Sequence, residues 1–254
     1  MKKAIFITVR TGSTRLPEKA LLKINGKATI ELVIDRVRRA KKAEIIVLCT
    51  TESKNDDVLC KIAKDSGIEF FRGSAEDKLM RWKGAAEKYG VEFFVTADGD
   101  DLLCDPELID LAFTQYEQGG ADFIEGKDVP CGGFTYGIKV SALNKVCEIK
   151  DTSDTEMMWV YFKDTGLFKT ELLENIPEIL RRPEIRMTLD YEDDFRFFKD
   201  IFEHFKDKPG FTLRDVIPYL DKNPEVVKMN SYLQERFLNN QKAKTKLVLK
   251  KGAA

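Results

Sequence analysis

The chain has 254 residues, 42 of them Lys or Arg and 43 Asp or Glu, with 43% hydrophobic and 33% charged. That size and balance suit one large domain with a real core, and they exclude a disordered chain, a collagen-like repeat and a polycation built to coat nucleic acid. No apolar run approaches the roughly 20 residues of a membrane span, and Arg10 breaks the short apolar opening before any signal-peptide cleavage site.

In chain order, Ala4–Val9 is a continuous apolar run that predicts a strand buried on both faces. Ile30, Val33, Ile34 and Val37 recur at helical spacing and predict a helix over 28–40. Glu44–Thr51 reads as the second strand, Asn55–Ser66 as a helix stopped by Gly67, and Ile68–Arg72 as the third strand. Ser74 is the expected N-cap, with Asp77 in capping-box position, of a helix running to Tyr89. Val91–Thr96 is the fourth strand and Pro106–Gln118 the next helix. This alternation predicts a largely parallel sheet with helices on both faces. Beyond it, Ala121–Ile124, Phe134–Val140 and Glu184–Leu189 read as strands, and Ser141–Ile149, Thr155–Phe162 and a segment through Phe205 as helices. Residues 212–240 read as mostly helical. The Lys242–Lys251 segment, with five Lys and no acid, is expected to be a solvated extension. The expected organisation is a single domain over 1–240, with a nucleotide-binding half (1–115) and an acceptor half (116–240), followed by a basic tail over 241–254.

Five cysteines (Cys49, Cys60, Cys104, Cys131 and Cys147) show no C-x-x-C spacing, which points to a reducing cytoplasm and cysteines used as small hydrophobes. The one histidine, His204, lies on a helical pattern and cannot build a His-rich zinc site. Chemistry must therefore come from carboxylates, Lys and Arg. Residues 1–42 hold 12 Lys or Arg against 3 acids, while the remaining 212 residues hold 30 against 40. A basic opening on an acidic chain suggests a local anionic ligand. Arg36, Arg38, Arg39, Lys41 and Lys42 are read as complementing a helix C-terminus, which leaves Arg10, Arg15 and Lys19 for the ligand.

Three constellations carry the chemistry. Val9–Lys19 (VRTGSTRLPEK) follows the first strand, where open α/β sheets bind ligands. Gly12, Ser13 and Thr14 can offer backbone N–H groups to phosphates, and Arg10, Arg15 and Lys19 can offer charge. Neither a P-loop nor a G-x-G dinucleotide fingerprint is present. TADGDDLLCDP, at the exit of the fourth strand, places Asp98, Asp100, Asp101 and Asp105 within eight residues. Such crowding calls for a compensating cation, and Mg²⁺ commonly bridges one or two carboxylates to phosphates. Asp98 and Asp100 are the candidates, with Asp105 read as an N-cap. In TLDYEDDF, Asp190 ends a strand and could reach across to Asp100, while Glu192, Asp193 and Asp194 suit a helix's first turn.

Together these residues resemble the CMP-sugar synthetases, which include CMP-KDO synthetase, the acylneuraminate cytidylyltransferases and especially the spore-coat-polysaccharide branch. RTGSTRLPEK is similar to that family's opening motif R-x-x-S-x-R-L-P-x-K. INGKATIELVIDRV, FRGSAEDKLMRW, ADGDDLLCDPELID and TLDYEDDF resemble its later motifs in order. The resemblance implies a Rossmann-like, mostly parallel sheet in a three-layer α/β/α nucleotidyltransferase sandwich, Mg²⁺, a homodimer, and attack of a sugar hydroxyl on the α-phosphorus of CTP. By match of position, Arg10, Arg15 and Lys19 would bind the triphosphate, while Gly12 and Ser13 allow close backbone approach. Asp100 and Asp190 would hold the metal, and Thr50, Thr51, Arg72, Ser74 and Asp98 would surround base and ribose. Glu18 stands where the family has glycine, Leu102 where it has proline, and DTSDTEMMWVYF where the spore-coat branch has R-E-H. A glycosyltransferase using Asp98-x-Asp100 and a non-catalytic nucleotide-binding protein are the rival readings. The basic loop, suited to a free triphosphate, argues against the first, and the presence of both Asp100 and Asp190 argues against the second.

Overall fold

The structure, a computed structural model, describes residues 2–252; Met1 and the last two residues of the expected tail, Ala253 and Ala254, lie outside the described residues. Strand β1 (Lys2–Thr8) leads through a single 3-10 turn at Lys19–Leu21 into a small hairpin, β2 (Lys23–Ile24) and β3 (Lys27–Ala28). Then follow α1 (Thr29–Val37), β4 (Ile45–Thr51), α2 (Asp57–Asp65), β5 (Glu69–Gly73), α3 (Lys78–Tyr89), β6 (Val91–Asp98) and α4 (Pro106–Gly119). The second half contains β7 (Phe123–Glu125), β8 (Tyr136–Lys139), α5 (Val140–Ile149), α6 (Trp159–Lys163) and β9 (Thr170–Leu172). The chain finishes in α7 (Glu192–His204), α8 (Leu213–Lys222), α9 (Pro224–Lys228) and α10 (Leu233–Lys244).

Seven strands form one sheet in the order β5-β4-β1-β6-β8-β7-β9, and β8 alone runs antiparallel to its neighbours. The two-residue alternation of a strand sorts β1 between two cores. Ile5 and Ile7 pack on the face covered by α1, α2, α4, α7 and α8, while Ala4 and Phe6 pack on the face covered by α3, α5 and α6. The layout is therefore helix, sheet, helix, and the fold is the mostly parallel α/β sandwich expected. It aligns the C-terminal ends of β1, β4 and β6 on one edge, because all three run the same way.

Several local expectations are corrected. The N-cap of α3 is Asp77, whose carboxylate accepts from the Met80 N–H at 3.1 Å, whereas Ser74 accepts from the Asp77 N–H one turn earlier. Glu184–Leu189 forms no strand beyond a bridge between Cys131 and Arg186. The reason is Arg186, a wholly buried cation that draws the segment toward carboxylates rather than a ladder partner. The helix expected over 155–162 is α-helical only from Trp159, in Trp159–Lys163, since Thr155 turns its hydroxyl onto Asp77. The basic tail is mostly exposed, as expected, but its end is tethered to the body of the protein. Leu249 bridges Lys150, and the Lys250 N–H donates to Ile149 at the end of α5. Among the described residues, no helix is long and apolar enough to cross a membrane.

Candidate active site

The exits of β1 and β6 meet at Gly99. Its N–H donates to the Thr8 carbonyl at 2.8 Å, and a Cβ there would lie 2.6 Å from Val9. Only glycine lets the acidic loop after β6 come this close to the basic loop after β1. A second close approach brings in Asp190. Gly132, at φ +91°, has no room for a Cβ beside the Met187 carbonyl, and Leu189 N–H donates to the Asp100 carbonyl at 2.9 Å. Residues about ninety positions apart in the chain are thereby brought side by side.

At the centre lies Lys19. Its ammonium donates to Asp100 Oδ2 at 2.5 Å, to Asp190 Oδ1 at 2.9 Å and to the Leu189 carbonyl at 2.8 Å. Arg15 donates to the same Asp190 oxygen at 2.5 Å and lies over the Tyr191 ring. Burial works against the Lys19 charge, but Asp100 and Asp190 outweigh it and hold its pKa above the usual lysine range. Asp190 is buried too, which would raise its pKa, yet Lys19 and Arg15 win and hold it below the carboxylate range. Asp100 goes the other way: burial, with Asp190 and Asp98 nearby, outweighs Lys19 and pushes it up. Asp101 is raised further by burial and by the charges of Asp100 and Asp98.

The carboxylates of Asp98, Asp100 and Asp101 come within 4.8 Å of one another. Hard oxygen donors with an excess of negative charge fit a divalent cation such as Mg²⁺. Asp98 is paired with Lys78 at 3.2 Å, and Asp101 points inward to accept from Thr135 at 3.3 Å. Asp100 is thus the acid shared by that cluster and by the pair with Asp190.

The other expected residues are placed as follows. Gly12 is open and exposed, and Ser13 accepts from the Leu16 N–H. Arg10 donates to the Ala75 carbonyl at 3.1 Å and reaches Glu156 at 3.9 Å. Thr50 and Thr51 turn their hydroxyls onto Asp56 instead of facing the cleft, Thr50 at 3.0 Å. Arg72 is committed to the carbonyls of Thr51 and Ser53 and to Asp57. Ser74 is exposed. Cys131 is packed beside Asp101 and Arg186, and burial pushes its thiol up to about 12. His204 stacks on Tyr219 at 3.9 Å.

Two residues that organise the site had no role assigned from sequence. Asp56 accepts from Thr11 N–H and hydroxyl at 2.8 and 2.7 Å as well as from both threonines of β4, and so ties the basic loop to the sheet. Arg186 is clamped by both oxygens of Asp194, at 2.9 and 3.0 Å, and reaches Asp190 Oδ2 at 3.2 Å. The signal for Arg186 was present: a lone cation inside the apolar run EIRMTL must find a buried acid. Asp194, read as a first-turn acid, is that partner.

Cations on one bank and carboxylates on the other, at the C-terminal edge of a parallel sheet, suit an enzyme that moves a nucleotidyl group. The cytidylyltransferase family profile matches residues 4–243, and the chain belongs to that family. It is a nucleotidyltransferase, not the glycosyltransferase left open by the Asp-x-Asp pair. The chain is 32% identical over 238 residues to an uncharacterized protein of Methanocaldococcus jannaschii, covering 93% of this chain and 97% of that one. It is 27% identical over 226 residues to the spore coat polysaccharide biosynthesis protein SpsF of Bacillus subtilis, covering 86% and 94%. A cytidylyltransferase structure from Leptospira borgpetersenii superposes with a TM-score of 0.81 at 29% identity, covering 89% of this chain and 97% of that one.

Proposed function

We propose that the protein transfers CMP from CTP to a hydroxyl of a sugar acid or related sugar, releasing pyrophosphate, with Mg²⁺ as cofactor and as a cytoplasmic homodimer. The observation that carries this reading is the convergence of Arg15, Lys19, Asp100 and Asp190 from three distant segments. The name of the Bacillus relative supports surface-glycan biosynthesis as the setting.

Arg10, Arg15 and Lys19 bind phosphate oxygens, and the Gly12–Ser13 backbone approaches them from a loop position left open around Gly12. Asp100 and Asp190 hold Mg²⁺, which supplies charge neutralisation on the phosphates when bound. Thr50, Thr51, Arg72, Ser74 and Asp98 border the base and ribose, the first three by shaping the loop walls. The acceptor hydroxyl attacks the α-phosphorus and pyrophosphate leaves toward the basic loop. Each well-placed donor there lowers the barrier by about 3 kcal/mol. Nucleotidyl transfer of this kind depends chiefly on positioning and charge, which accords with a site lacking histidine.

A pyrophosphate-release assay tests the reading, with four NTPs against ulosonic acids and sugar phosphates, with and without EDTA. CTP with an acidic sugar should give turnover that EDTA abolishes. Asp100→Asn and Asp190→Asn should each lower kcat by about a hundredfold or more. Near-normal rates in either variant exclude that residue as a metal ligand, and turnover in EDTA excludes the cofactor.

A further inference from the structure

An ammonium has three N–H groups, and all three of Lys19 go to protein oxygens, those of Asp100, Asp190 and Leu189. Where it sits, Lys19 has no N–H left for a phosphate. It also fills the gap between the two carboxylates read above as the metal's ligands. Asp190 has little capacity to spare. Its Oδ1 accepts from both Arg15 and Lys19, and its Oδ2 accepts from Arg186. An ammonium so placed and a divalent cation on the same pair of carboxylates exclude each other by space and by charge.

We propose that Lys19 is an exchangeable counter-cation of the Asp100–Asp190 pair, so that divalent metal and nucleotide bind this protein only together. The proposal rests on the functional reading above and deepens it. Displacing Lys19 without a substitute acceptor strands a side chain that is only 14% exposed, with its donors unmet, and unmet charged donors are costly. Triphosphate oxygens remove that penalty, because they take the N–H groups that Asp100 and Asp190 release. Nucleotide thereby opens the metal seat, and metal in the seat turns Lys19 toward the phosphates. By linkage each ligand tightens the other by the same factor.

The competing arrangement places the ion on Asp98, Asp100 and Asp101 with Lys19 undisturbed. One observation weighs against it: Asp101 is buried and turned inward to Thr135.

The test is Mn²⁺ binding to the full chain without nucleotide, read from the electron paramagnetic resonance signal of free Mn²⁺. Wild type is compared with Lys19→Met and with Lys19→Gln, the latter retaining hydrogen-bonding capacity should the former fold poorly. Both variants should bind Mn²⁺ about tenfold or more tightly than wild type, a gain in the range of ordinary coupling factors. Arg15→Met removes an equal charge from Asp190 but leaves the ammonium in the gap, and should raise affinity by clearly less than the Lys19 variants do. Lys19 variants that match wild type overturn the exchange, and so does an Arg15→Met gain equal to theirs. In the Lys19→Met background, Asp190→Asn should remove the gain; retained affinity there puts the ion on the Asp98 cluster and also overturns the exchange. Failure of Asp100→Asn to weaken Mn²⁺ in that background is a different result, since it removes the metal assignment itself.

Discussion

Glu18 stands at φ +51°, in the left-handed region where the related motif has glycine. The conformation costs a side-chain-bearing residue about 1–2 kcal/mol, while glycine loses roughly 0.5–1 kcal/mol more backbone entropy on folding. The difference favours glycine, so Glu18→Gly should stabilise the protein by up to about 1 kcal/mol. Urea unfolding would show this as a higher midpoint with an unchanged slope. The motif departure was visible in the sequence; its backbone consequence was not, because nothing in RLPEK marks which residue turns left-handed. Asp56 gives the second residue-scale case. Burial alone would raise its pKa, but hydrogen bonds from Thr51, Thr11 and Thr50 outweigh that and hold it below the usual range. A depressed folded-state pKa means stability that is fully present above the unfolded value of about 3.9 and lost as pH falls through the folded value. Asp56→Asn should therefore cost roughly 1–2 kcal/mol at neutral pH. That deficit should shrink in melts taken progressively below about pH 4. A deficit that is constant with pH would show that the charge on Asp56 is immaterial.

At the scale of elements, the first half of the fold was legible because β1, β4 and β6 are largely buried and mostly apolar, and amphipathic helices alternate with them. The α3 cap was misread for a physical reason. Ser74 and Asp77 both precede the helix at capping distance, and tertiary contacts decided between them. Asp77 is held by Lys150 at 2.5 Å and by the Thr155 hydroxyl at 3.0 Å, from the segment after α5. The cap is thus part of a buried ion pair joining two helices, which no local pattern reveals. Asp77→Ala would leave the Lys150 ammonium buried and unpaired, a loss of about 3–5 kcal/mol. Adding Lys150→Met removes the stranded charge, so the double variant should recover most of that stability and leave chiefly the cap deficit of about 1 kcal/mol. Chemical denaturation of the two singles and the double would give the coupling directly, and additive effects would contradict the pairing.

At the scale of the molecule, Asp100 and Asp190 illustrate what the sequence could and could not carry. Each was recognisable as an acid just ahead of a helix or loop, but only Asp100 follows a strand of the sheet; Asp190 is brought to it by the Leu189 N–H donating to the Asp100 carbonyl at 2.9 Å. The ammonium of Lys19 lodged between them was not legible, because it depends on how far the 3-10 turn after the basic loop carries the side chain. The site is consequently assembled from residues 15–19, 98–101 and 186–194, which belong to both halves of the chain and meet at one edge of the sheet. A ligand that bridges these segments must stabilise the whole domain rather than one lobe. At 100 times its dissociation constant, a ligand adds about 2.7 kcal/mol. At this chain length that corresponds to a rise in Tm of roughly 5–10 °C. Scanning calorimetry should show a single transition that moves upward by that amount with CTP and Mg²⁺ together. CTP in EDTA, or Mg²⁺ alone, should give a much smaller shift, because each leaves the Lys19 bridge between Asp100 and Asp190 in place. Two separated transitions, with only one responding, would mean that the segments bind as independent halves and that no shared seat joins them.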